Sequence, residues 1–157
     1  MRLAVPLALL LACASSPPPP SERPLGGTGS IRKDDATLDI RSLYSVKPDR
    51  SVEIYVDLTA SGAGTVGPLD VELKTGGFLF DGPSNWRGEV AANTTTRATF
   101  VLRPQGDGGK WVKIITRRDG AEASSFTPLL VTPDEIRLCA ADDEPCKGIT
   151  DPAPATP

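Results

Sequence analysis

Val52-Glu53-Ile54-Tyr55-Val56-Asp57-Leu58 alternates apolar and polar side chains without a break. Successive side chains of an extended strand point to opposite faces, so this stretch reads as a β-strand. It buries Val52, Ile54, Val56 and Leu58 and turns Glu53, Tyr55 and Asp57 outward. A strand with one dry and one wet face belongs to an antiparallel sheet packed on one side.

The same period spreads in both directions. Leu38, Ile40 and Leu43 mark a strand on the N-terminal side. Leu69, Val71 and Leu73 alternate with Asp70, Glu72 and Lys74 on the other. Phe78-Leu79-Phe80 is a short apolar burst between Gly76-Gly77 and Asp81-Gly82-Pro83, and Trp86 to Ala91 fits a brief edge strand. Thr94 to Leu102 is rich in threonine and β-branched residues. Trp111 to Thr116 and Ser125 to Val131 follow, joined through Asp119-Gly120, a dipeptide that favours the primed turns of hairpins. No ten-residue stretch has helical periodicity. Seven or eight short strands with frequent turns predict an all-β sandwich. After the last strand, Thr132-Pro133-Asp134-Glu135 has the form of a helix-capping box, with a strand through Ile136 and Leu138 as the alternative.

The cadence from Leu69 to Thr116 resembles that of bacterial immunoglobulin-like and fibronectin-type modules. It is carried by Gly77-Phe78, Trp86-Arg87-Gly88, Asn93-Thr94-Thr95 with Phe100, and Gly109-Lys110-Trp111. The resemblance implies an immunoglobulin-like sandwich, without the inter-sheet cysteine pair of antibody domains, and says nothing of function.

Upstream the composition changes. Met1-Arg2 supplies a positive charge and Leu3 to Leu11 an apolar run, too short to span a bilayer and of signal-peptide size. The run ends in Leu10-Leu11-Ala12-Cys13, which resembles the lipobox of bacterial lipoproteins. The resemblance implies cleavage before Cys13, diacylglycerol on its sulfur and a further acyl chain such as palmitate on the freed amine. With Ala14 rather than aspartate after the cysteine, it implies a lipid anchor in the outer membrane of the bacterial envelope. Residues 13–33 then hold Pro17 to Pro20 and Gly26-Gly27-Thr28-Gly29-Ser30 and little apolar surface. They read as a disordered tether with a reach of roughly 25 to 60 Å. The expected organisation is a signal peptide at 1–12, the lipidated tether at 13–33, the sandwich at 34–148 and a disordered tail at 149–157.

The chain has no histidine, 17 bases and 20 acids. That excludes Ser-His-Asp and Cys-His catalysis and the commonest zinc sites, and a mildly acidic chain without basic clusters is a poor nucleic-acid binder. Gly62-Ala63-Gly64-Thr65-Val66-Gly67 fits the dinucleotide fingerprint in letters only, because Pro68 and a strand follow where a helix N-terminus is needed. No motif points to a cofactor or a metal. Cys139 and Cys146 remain once Cys13 is lipidated, and an even pair in an oxidising compartment is expected to bond. Asp142-Asp143-Glu144 between them reads as a solvated acidic loop, with calcium as the less favoured alternative. Asp81 and Glu89 are a weak candidate for paired glycosidase carboxylates. Trp111 is expected in the core, whereas Trp86, Tyr55 and Tyr44 are the candidates for an exposed ligand face. These readings converge on a membrane-anchored, non-enzymatic interaction module whose partner is another envelope protein. A carbohydrate or small-ligand binding module is the alternative.

Overall fold

A computed structural model describes residues 21–153 and shows a β-sandwich. Ten strands follow in order: β1 (Arg23–Lys33), β2 (Ala36–Val46), β3 (Val52–Gly62), β4 (Val66–Gly76), β5 (Phe78–Phe80), β6 (Asn85–Val90), β7 (Thr95–Pro104), β8 (Gly108–Arg118), β9 (Ala121–Val131) and β10 (Ile136–Leu138). They form two antiparallel five-stranded sheets, β1-β2-β3-β7-β5 (sheet A) and β10-β9-β8-β4-β6 (sheet B). The chain changes sheets at every step from β3 to β8. This gives the β2-β3-β7 and β4-β8-β9 pairing that corresponds to strands A-B-E and C-F-G of immunoglobulin-like sandwiches.

The alternation in β3 works as its sequence dictates. Val52, Ile54, Val56 and Leu58 are fully buried, opposite Leu102, Phe100, Ala98 and Thr96 of β7. Leu69, Val71 and Leu73 of β4 close the core from sheet B with Val112, Ile114, Leu129 and Val131. Asp119 and Gly120 take positive φ at 46° and 81°, which is what a two-residue β8–β9 turn requires.

The structure adds two strands and corrects three boundaries. The stretch expected to be tether as far as Lys33 becomes β1 from Arg23 onward, an eleven-residue strand on β2. Leu25 is fully buried and Ile31 nearly so, which anchors it. Gly26 and Gly27, at φ 95° and 67°, carry the bulge where the register shifts between Pro24 and Thr28. The buried Ser42 hydroxyl donates to the Gly26 carbonyl at 2.9 Å, so the irregularity also satisfies a core polar group. Second, Thr132 and Glu135 close a turn instead of starting a helix. The Glu135 N–H donates to Thr132 Oγ1 at 3.1 Å and the Thr132 N–H to Glu135 O at 2.9 Å. β10 follows, as the alternative reading had it. Third, the tail expected to start at 149 packs on sheet B through Ile149 and Asp151. The lipobox, Pro17 to Pro20 and residues 154–157 lie outside the described residues.

Candidate functional site

The three aromatics expected on one ligand face lie in three places. Tyr44 points inward, opposite Ile54, and is 2% exposed, so it is a core residue. Its strand carries Ser42-Leu43-Tyr44-Ser45, where either parity could face the core, and the buried partner on β3 decides. Trp86 lies on the inward side of β6 and packs, half-buried, against the edge of the core. Only Tyr55 stands on an outer face, that of sheet A, and there it is occupied.

The Tyr55 hydroxyl donates to the Glu53 carboxylate, and the Arg97 guanidinium sits 4.6 Å from the ring centroid. That cation–π contact is supported on both sides. Arg97 donates to Asp57 at 2.7 and 3.0 Å and to Glu22 at 2.6 and 3.2 Å. The hydrogen bonds that Arg97 donates to Asp57 and Glu22, in that order of weight, raise its pKa further above its ordinary value. Around Glu53, the Tyr55 hydroxyl and then Lys47 hold the carboxyl below the usual range, while burial and Glu53 together push the Tyr55 phenol up. Glu22 is the second described residue, so the chain enters the domain across the outer face of sheet A, clipped to β7. Arg97 between Thr95 and Thr99 marks the outward parity of β7 in the sequence, but no periodicity links Glu22 to Arg97.

Sheet B turns out Trp111, Lys113, Ile115 and Arg117 from β8 and Phe126 from β9. Trp111 is therefore on the outer face, half-buried, and not in the core. The stretch Trp111-Val112-Lys113-Ile114-Ile115 offers an apolar residue to each side, and the core takes Val112 and Ile114. The indole packs on Phe126 with ring centroids 5.8 Å apart and lies over Gly76, where a Cβ would come within 2.1 Å of Nε1. It floors a groove with Gly76, Gly77, Gly109, Gly148, Ile149 and Thr150. Arg117 is held by Glu72 at 2.8 Å and Glu122 at 2.9 Å.

A lobe from residues 139–151 covers the lower part of this face. Cys139 and Cys146 are joined by a disulfide, with Cα atoms 6.1 Å apart. The Cys139 N–H donates to Pro128 O at 3.1 Å, and Lys113 meets Asp151 at 2.6 Å. Pro145 and Ile149 lie so close above Gly109 that a Cβ there would stand 2.0 Å from the Pro145 oxygen. Leu130, though on the outer face, is buried. The acidic loop is not laid out for a cation. Asp143 accepts two bonds from Arg137, at 2.7 and 2.8 Å, and one from the Ala140 N–H at 2.6 Å, while Glu144 pairs with Lys147. Arg137 first, and the Ala140 amide second, hold the Asp143 carboxyl down to about 2.

The remaining candidates stay apart. Asp81 follows β5 of sheet A and pairs with Arg103 at 2.9 Å, whereas Glu89 belongs to β6 of sheet B. The glycine fingerprint spans the end of β3 and the start of β4, with no helix after it. The buried Thr116 hydroxyl, which has no partner among the described residues, borders a small, partly open cavity of about 60 Å³ between β1 and β9. A space of that size is enough for a water or two. No protein-family model matches this chain, and no curated protein is significantly similar to it.

Proposed function

We propose that the protein is a lipid-anchored module of the bacterial envelope that works by presenting a surface to another envelope protein, without catalysis. The sequence Leu10-Leu11-Ala12-Cys13 carries the anchor half of this reading. The observation that carries the rest is the use of the charged side chains on both outer faces. Arg97, Arg117 and Arg137 are each locked between two carboxylates, which makes rigid patterned surfaces rather than a reactive centre. Rigid surfaces of mixed charge suit recognition, where complementarity sets partner choice more than affinity.

The clip at Glu22 also changes the geometry of the anchor. Eight residues lie between Cys13 and Glu22, and the nine Cα–Cα steps span at most about 30 Å. That is about half the upper reach expected from the sequence, so the partner would lie close to the membrane surface. One observation favours a second reading, as a carbohydrate or small-ligand module. Trp111 beside its glycine-lined groove offers a flat aromatic surface of the kind on which sugar rings stack, at a place other than Trp86, Tyr55 or Tyr44.

The test is Cys13→Ser. The variant should leave the membrane fraction for the soluble periplasm or stop at signal processing, and equal pelleting with membranes would sink the anchor. Material that co-purifies with the detergent-extracted wild type separates the two readings, protein supporting the first and glycan the second.

A further inference from the structure

β6 ends sheet B, and among the described residues nothing pairs with its outer side. The other sheet edges differ from it. β5 and β10 have three residues each, and β10 runs into the disulfide lobe. β1 lies against β9, so close that a Cβ on Gly27 would come within 2.9 Å of the Ser125 Cβ. β6 is the longer free edge, with six residues, Asn85 to Val90.

Its hydrogen-bonding parity follows from one bond. The Leu73 N–H donates to Ser84 O at 2.8 Å. Counting from that pair along the register, Trp86 and Gly88 exchange their bonds with Val71 and Leu69 of β4. Asn85, Arg87 and Glu89 then turn their N–H and C=O groups away from the sheet. Proteins usually blunt such an edge with a proline, a bulge or a very short strand. β6 has no proline, and the irregularity in its pairing places the extra residue in β4, between Val66 and Leu69.

We propose that β6 is a homodimer interface, pairing antiparallel with β6 of a second copy about a two-fold axis at Gly88. This register is self-complementary in three respects. It sets Arg87 opposite Glu89 of the second copy and Glu89 opposite its Arg87. These are the residues whose backbone groups point outward, so each pair is of the hydrogen-bonded type. Both side chains leave the sheet on its outer side, where Arg87 is 76% exposed and already holds Asp70 at 2.8 Å. A register centred on Arg87 would instead set arginine against arginine, which like-charge repulsion disfavours. The product is one continuous ten-stranded sheet with two isologous ion pairs. Nothing in this pairing involves Cys13, so it stands or falls apart from the lipid anchor.

The experiment uses the full chain in detergent, with mass from light scattering and dissociation followed by dilution. Wild type is expected to be a dimer, and Cys13→Ser should dimerise equally. Arg87→Glu and Glu89→Arg should each weaken the dimer by about tenfold or more, since each turns both attractive pairs into repulsive ones. The double variant R87E/E89R should recover it. Both positions are exposed, so the melting temperature of dilute protein serves as the control on folding. As a second measurement, N85C/A91C places cysteines opposite each other in this register and should give a disulfide-linked dimer on mild oxidation. A monomeric wild type, a dimer indifferent to single reversals, a double variant that fails to recover, or no cross-link would each overturn the proposal.

Discussion

Asp143 shows how much one carboxylate can organise at the surface. It takes two bonds from Arg137 and one from the Ala140 amide, and so fastens the start of the disulfide lobe to β10. Its carboxyl is held down to about 2, mainly by Arg137. A free aspartate titrates near 4, so between about pH 4 and pH 2 the unfolded chain takes up a proton that the folded chain refuses. The stability from this group is therefore fully present above pH 4 and is lost as pH falls towards 2. Thermal midpoints should drop over that window, and Asp143→Asn should flatten the drop. Asp49 and Glu53 also have lowered carboxyls, so a residual slope is expected in the variant. An unchanged slope would show that the Arg137 contact does not form in solution. At this scale the sequence was legible for Cys139 and Cys146, whose short spacing lets one disulfide close a small loop. It was illegible for Tyr44 and Trp111. Each sits where both parities of the strand offer an apolar residue, and only the facing sheet decides which side is core.

Strands with one wet face announced themselves. The eight segments read as strands all exist, and those read from alternation do so because burial on one side imposes period two on the side chains. β1 did not announce itself. Arg23–Lys33 has two large apolar residues, Leu25 and Ile31, among glycines, threonine and serine, a composition that reads as linker. Its strand is made by pairing with β2 and by the bulge at Gly26 and Gly27, a tertiary cause that overrides local propensity. β1 should therefore be part of the cooperative fold. Leu25 is completely buried, so Leu25→Ala should cost about 2–5 kcal/mol from lost transfer energy and the cavity left behind. Urea unfolding should show a lower midpoint with an unchanged slope. A change below about 0.5 kcal/mol, the range of ordinary surface substitutions, would return β1 to the status of an appended tether. The same reasoning forbids treating residues up to Gly29 as a removable arm, since that deletion takes Leu25 with it.

For the molecule as a whole, the decisive dimension is the distance between bilayer and domain. If Cys13 carries lipid, the connection from the anchor to the domain runs to Glu22, whose carboxylate is held by Arg97 on the outer face of sheet A. Nine Cα–Cα steps from Cys13 reach at most about 30 Å. The longest strands, at eleven residues, are about as long as that segment. A domain on so short a lead stays within roughly its own length of the headgroups, with sheet A as the side from which the lead departs. This confines partner encounters to a thin layer and raises their effective concentration there, an effect that falls as the lead lengthens. The height should respond to the lead alone, because the core of the described residues is built from Leu25 onward. Inserting fifteen Gly/Ser residues after Pro20 should leave the melting temperature unchanged. It should also lower energy transfer from a donor at Asp119, an exposed turn residue, to acceptors in the bilayer of reconstituted vesicles. The added coil contributes a mean span of about 20 Å, comparable to the whole original lead. Equal transfer in the two proteins would mean that the domain rests on the membrane through its own surface, and the short lead would then not be what sets its height.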